Sequence, residues 1–212
     1  MEATRKTTTR TAATGQAPIG RPRGFDTEEA LERAMMTFWE HGYDGVSLTD
    51  LTRAMGITKT SMYAAFGNKE DLFRKALEHY AESRTAYSAQ VREKPTALEV
   101  ATAYLTASVQ GTTQDDCPAG CLGVQASLVA NHLGRTAADA LAAWQDGNRA
   151  SFRDRFRRAV DEGDLPAGTD PDVLAHYLMT LGNGIAVQAA AGATREELQR
   201  VADAALRNWP PA

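Results

Sequence analysis

From Thr27 onward the apolar residues recur at helical spacing, and no segment alternates strictly between apolar and polar as a half-buried strand would. That single periodicity confines the chain to an all-α fold. Helix starts and stops are written locally. Thr27 reads as an N-cap with Glu28 and Glu29 in the first turn, where the helix dipole favours anions. Ala30, Leu31, Ala34, Met35, Phe38 and Trp39 then make an apolar face, and Gly42 stops the helix. Ser47-Leu-Thr-Asp50 reads as a cap with an acidic third residue, opening a helix that ends at Gly56. Thr58 caps a short helix to about Phe66, and Asn68 caps a longer one that continues through Tyr80. Five further helices are predicted over residues 96–110, 118–132, 136–162, 171–191 and 195–209. Asp170 before Pro171 and the capping box Thr194-Arg-Glu-Glu197 mark the last two starts.

This pattern divides the chain into an arm (1–23), a three-helix head (24–70) and a larger helical body (71–212). The arm is rich in Thr, Ala, Arg and Pro and has little to bury. It carries five basic residues against Glu2 alone, whereas the head carries four basic and eight acidic residues. A basic arm on an acidic body fits nucleic-acid binding, and it equally fits a solubilising tail. The longest apolar run, 178–193, is interrupted by Thr180, Asn183 and Gln188, short of the about 18 apolar residues a membrane span needs. No apolar segment follows the basic N-terminus as a secretory signal would require. Two cysteines make no disulfide framework. A cytoplasmic protein without a membrane partner is expected.

The informative stretch is 47–66, two short helices flanking Gly56-Ile-Thr58. Glycine at that turn permits a positive φ, so the second helix can cross the first. Leu48, Leu51, Met55, Ile57, Met62 and Phe66 can close a core with the first helix. Thr58, Lys59, Thr60, Ser61, Tyr63 and Ala64 are left facing outward, a set suited to phosphates and base edges in a major groove. The helix starts at Leu48 and Lys69 add N–H groups for phosphate, and Lys69 adds a charge. The same caps and glycine would also serve a plain helical hairpin in a bundle.

Three ordered motifs narrow the choice: Phe38-Trp-Glu-His-Gly-Tyr-Asp-Gly-Val-Ser-Leu48, Ala54-Met-Gly-Ile-Thr-Lys-Thr-Ser-Met-Tyr63 and Phe66-Gly-Asn-Lys-Glu-Asp-Leu-Phe73. Together, over about residues 25–75, they resemble the DNA-binding head of TetR/AcrR-family transcriptional regulators. The resemblance implies an all-α fold of about nine helices, with residues 58–66 as the recognition helix. It implies a homodimer that binds a double-stranded DNA operator, and a C-terminal body that binds a small-molecule effector and releases DNA. Thr49, Lys59, Thr60, Ser61, Tyr63 and Lys69 are the DNA contacts it implies. Where many family members carry a larger polar residue after the recognition-helix tyrosine, this chain has Ala64 and Ala65, which donate no hydrogen bond to a base.

Gly20-Arg-Pro-Arg-Gly24 is similar to the core of a minor-groove AT-hook, which makes Arg21 and Arg23 candidate DNA contacts. In Cys117-Pro-Ala-Gly-Cys121, Pro118 suits the first helical position, placing Cys117 at the cap and Cys121 one turn on. Two thiols so spaced are a candidate redox or soft-metal pair, and the element is similar to that of copper-responsive members of the family. Two small half-buried residues at a helix start would look the same.

In the body, Tyr104, Val109, Trp144, Phe152 and Met179, with Leu105 and Phe156, are candidates to line an effector cavity or simply to fill the core. Gly182, Gly184, Ala186, Ala189, Ala190 and Ala191, with Leu198, Val201, Ala205 and Leu206, suggest a two-helix dimer face. Arg149, Arg153, Arg157 and Arg158 read as a solvated helix face paired with Asp161 and Glu162. The four histidines are scattered, and no catalytic motif, cofactor-binding loop or metal-ligand set is present, so a non-enzyme without cofactor or metal is expected. The combined expectation is an effector-released homodimeric repressor. Its rivals are a thiol- or copper-responsive regulator and a sequence-tolerant architectural DNA-binding protein working mainly through the arm.

Overall fold

A computed structural model describes residues 24–210, save the side chains of 84–88. The arm, with Arg21 and Arg23, lies outside the described residues. Within them the regular structure is entirely helical: α1 (Thr27–His41), α2 (Leu48–Met55), α3 (Lys59–Phe66), α4 (Lys69–Arg92), α5 (Ala97–Thr112), α6 (Leu122–Leu128), a single 3-10 turn (Ala130–His132), α7 (Arg135–Asp161), α8 (Pro171–Ala190) and α9 (Arg195–Arg207).

Side-chain caps set most of these boundaries. Ser47, Asn68, Thr96 and Thr194 each accept from the backbone N–H three residues on, and the acidic residue there returns the bond. The first cap differs from expectation. Asp26, not Thr27, accepts from the N–H groups of Glu28 and Glu29, and Thr27 is the first helical residue. α4 runs well past Tyr80 because nothing in its sequence breaks a helix before Pro95.

The larger departure is α6. One helix over 118–132 was expected; instead residues 117–121 are irregular and the helix begins at Leu122. Gly120 sits at φ +93°, its N–H bonds to Thr112 O at 2.9 Å, and an added Cβ there would press on Ala190. That positive φ is incompatible with a helix running through the segment. Pro118 therefore marks a loop folded back on the end of α5.

Two apolar cores result. The first gathers Phe38, Trp39, Leu51, Met62, Phe73 and Tyr80 from α1–α4, and extends to Leu122, Ala126, Ala137 and Leu141 of α6 and α7. The second holds Val100, Leu105, Phe152, Phe156, Leu178 and Leu198 between α5, α7, α8 and α9. The head is thus seated on the body by a continuous core, and α4 and α7 each contribute to both cores. Arg155, only 5% exposed, donates to the carbonyls of Arg92, Lys94 and Pro95 and fixes the turn from α4 to α5.

Candidate nucleic-acid interface and ligand cavity

The turn before α3 follows from Gly56, which adopts φ +68°, ψ 27° and lets Ile57 N bond back to Thr52 O at 3.1 Å. Thr58 then caps α3: its Oγ1 accepts from Ser61 N at 3.1 Å and lies 2.9 Å from Ser61 Oγ. Met62 and Phe66 are buried in the first core, so α3 cannot roll. Lys59, Thr60, Tyr63 and Ala64 are exposed on its opposite side, Tyr63 at 45%. Thr49 on α2 is also exposed, whereas Ser61 is half-buried. Thr58 and Ser61 thus hold each other at the helix start, while Lys59, Thr60 and Tyr63 form the accessible surface.

Lys69 is half-buried at the start of α4, with Nζ 4.5 Å above the Tyr43 ring. Burial lowers its pKa, and the nearby Asp44 carboxylate opposes that shift. Burial, with Glu70 and Asp44, likewise raises the Tyr43 phenol. The sequence reading did not single out Tyr43, the aromatic face that holds Lys69, nor Lys75. Lys75 Nζ on α4 donates to Ala65 O and Phe66 O, each at 3.2 Å, and so caps the C-terminus of α3 from a neighbouring helix. A groove of about 340 Å³ lies between Gly24, Phe25 and α3, bordered by Ala64 and Ala65.

A cavity of about 360 Å³ lies in the body between α5, α7 and α8, closed by Tyr80 of α4 and by Cys121. Of the residues expected there, Tyr104, Trp144, Phe152 and Met179 line it. Val109 does not. It shares the inward stripe of α5 with Ala101 and Leu105, which packs into the second core, as does Phe156. Tyr104 lies one position round the helix and meets Phe152 edge-on at 4.9 Å. Its close approach to α8 requires Gly182, where any Cβ would collide with the phenol ring. Burial, reinforced by the neighbouring Cys121, pushes the Tyr104 phenol up to about 12, against a hydrogen bond to Ser108.

Arg149 belongs to this cavity rather than to the solvated arginine face. Its Nη1 donates to His176 Nε2 at 2.7 Å, and its Nη2 lies 3.3 Å from Asp146. Arg153 and Arg157 pair with Asp154, and Arg158 with Glu162, on the outer face of α7.

The two cysteines do not share a helical face, because α6 begins only at Leu122. Cys121 accepts the Tyr80 hydroxyl at 3.2 Å and lies on the cavity wall, and both cysteines pack against the first core. The one-turn spacing on which a shared metal or a redox pair was expected is therefore not formed. Among the described residues no cluster of three or more His, Cys, Asp or Glu side chains is placed to hold a metal ion.

Tyr80 also touches the head: its ring meets Trp39 of α1 edge-on at 5.1 Å. Two further contacts cross from the head, Asp44 to His132 at 2.6 Å and Glu32 to His79 at 2.8 Å. The cavity wall is thus one side chain from the helix that supports α3.

A short helix whose polar face is exposed, carried on a three-helix head above a ligand-sized cavity, defines a helix-turn-helix protein with a separate binding body. The family model for bacterial regulatory proteins of the tetR family matches residues 30–76, and that for the tetracyclin repressor-like C-terminal domain matches 97–205. The chain is 33% identical over 193 residues to the HTH-type transcriptional repressor ComR of Escherichia coli, covering 90% of this chain and 92% of that one. It is 28% identical over 194 residues to the repressor AcnR of Corynebacterium efficiens, covering 90% and 93%. Among solved structures, a cysteine-substituted form of the TetR family regulator CifR, complexed with 26-base-pair operator DNA, is 43% identical with a TM-score of 0.83, covering 90% of this chain and all of that one. A TetR regulator from Rhodococcus sp. RHA1 is 44% identical with a TM-score of 0.60, covering 86% and 98%. The chain belongs to the TetR family of transcriptional regulators. No helix among the described residues is long and apolar enough to cross a membrane.

Proposed function

We propose that the chain is a homodimeric transcriptional repressor that holds a palindromic operator through α3 and releases it when a small molecule fills the body cavity. It acts by binding rather than catalysis, in the cytoplasm with its DNA. The observation that carries this reading is the exposed trio Lys59, Thr60 and Tyr63, on a helix locked by Met62 and Phe66, in a chain 43% identical to a regulator solved on its operator. Thr49 and Lys69 flank the trio as phosphate contacts, Thr58 and Ser61 fix the helix start, and Arg21 and Arg23 extend the contact into the minor groove.

Of the small-residue pattern, Gly182, Ala186, Ala189 and Leu198 point into the subunit, while Gly184, Ala190, Ala191 and Val201 are exposed, as are Val173 and Val187 of α8. The exposed positions are the core of the proposed interface. Effector release runs through Tyr80, which lines the cavity and packs on Trp39. A bound molecule that moves Tyr80 shifts α4 and, through Lys75, α3. The coupling equals the effector's differential affinity for the two states, typically about 1–3 kcal/mol.

Selection of bound duplexes from a random pool, with sedimentation of the complex, tests the reading. A dyad-symmetric site occupied by an even number of chains supports it. Sequence-independent binding lost on removing residues 1–23 supports the architectural alternative instead.

A further inference from the structure

The cavity lining mixes two kinds of surface. Tyr104, Trp144, Phe152 and Met179 present aromatic and thioether groups. Interleaved with them on α7 and α8 are Arg149, His176, the side-chain amides of Asn148 and Asn183, and the Asp146 carboxylate. The guanidinium is only weakly compensated. Its 2.7 Å partner, His176 Nε2, carries no negative charge that could offset it. Its carboxylate partner, Asp146, lies at 3.3 Å with 74% of its side chain exposed, where solvent screens the attraction. Among the described residues no buried carboxylate balances Arg149. A planar guanidinium with donors to spare, set among aromatic side chains, is the geometry that recognises a carboxylate in bidentate fashion.

We propose that the effector is an amphipathic organic acid. Its carboxylate lies on Arg149, with His176 and Asn183 beside it, and its aryl or alkyl part lies against Trp144, Phe152 and Met179 next to Tyr80. Desolvating an apolar body provides affinity, and the guanidinium orients the molecule and excludes its neutral analogues. This assignment rests on the repressor reading given above.

The test uses the full-length protein and a panel of aryl and medium-chain alkyl carboxylates, each paired with its primary amide (phenylpropanoate with phenylpropanamide, indole-acetate with indole-acetamide, octanoate with octanamide). Thermal stabilisation and binding to the selected operator are measured in parallel. One or more acids should raise the melting temperature and weaken operator binding, while the matched amide does so at least about tenfold more weakly. R149Q should erase the difference between acid and amide, and R149K, which keeps the charge but loses the fork, should retain part of it. Amides as effective as acids, an unchanged preference in R149Q, or a panel in which no acid stabilises the protein each overturn the proposal. The repressor reading fails separately, if the protein without added ligand selects no operator.

Discussion

Lys75 gives the sharpest prediction because its role is entirely tertiary. Its ammonium bonds two terminal carbonyls of α3 and lies 5.6 Å from the centre of the Phe66 ring, and K75M removes all of these contacts with an uncharged side chain of similar length. Hydrogen bonds to charged groups contribute about 1.5–3 kcal/mol each. Here one ammonium serves both acceptors at 3.2 Å and the site is part-buried, so water replaces some of the loss. A net cost of about 2 kcal/mol follows. For a chain of 212 residues that corresponds to a fall of about 4–8 °C in melting temperature. Calorimetry of K75M and K75R measures it, with fluorescence anisotropy on the selected operator run alongside. K75R should sit within about 2 °C of the parent and bind DNA nearly as well. K75M should lose both stability and operator affinity, because the last turn of α3 is no longer held. A K75M melting point within about 1 °C of the parent, with unchanged DNA binding, refutes the reasoning.

K59A and Y63A remove exposed side chains and should leave the melting temperature within about 1 °C while weakening operator binding about tenfold or more; K59A should also lower the salt dependence of binding by about one ion. Gly182→Val drives a side chain into Tyr104, so it should cost about 1–3 kcal/mol and abolish effector-induced release while operator binding persists, as denaturant titration and release assays would show. The raised phenol of Tyr104 stabilises the fold while it is neutral. That contribution is complete below the unfolded value near 10 and is lost as pH rises through about 12. Alkaline unfolding curves of Y104F should therefore be flatter than the parent's in that window.

Local signals were read well and three-dimensional ones were not. The caps at Ser47, Asn68, Asp170 and Thr194 depend on side chains bonding their own helix, so four residues suffice to recognise them. Asp26 and Thr27 are adjacent residues of equal capping chemistry, and only the observed backbone φ and ψ separate them. Pro118 carried a genuine helix-start signal, overridden by the positive φ of Gly120 and its bond to the end of α5. Val109 and Tyr104 lie on a helix covered on both sides, where periodicity shows burial but not whether a cavity or a core lies opposite. Lys75 and Arg149 find their partners 9 to 27 residues away, on other helices or helix ends, and no local pattern announces that.

The claim beneath all of this is that the outer face of α3 reads DNA in two copies at once. A photoreactive side chain placed at Thr60, on the exposed side of that helix, tests it directly on the selected operator. The account predicts crosslinks to major-groove base edges at two positions related by the dyad, one for each protomer, and their loss when effector is added. Crosslinks confined to a single half-site, scattered without register, or absent while the protein remains bound would contradict it.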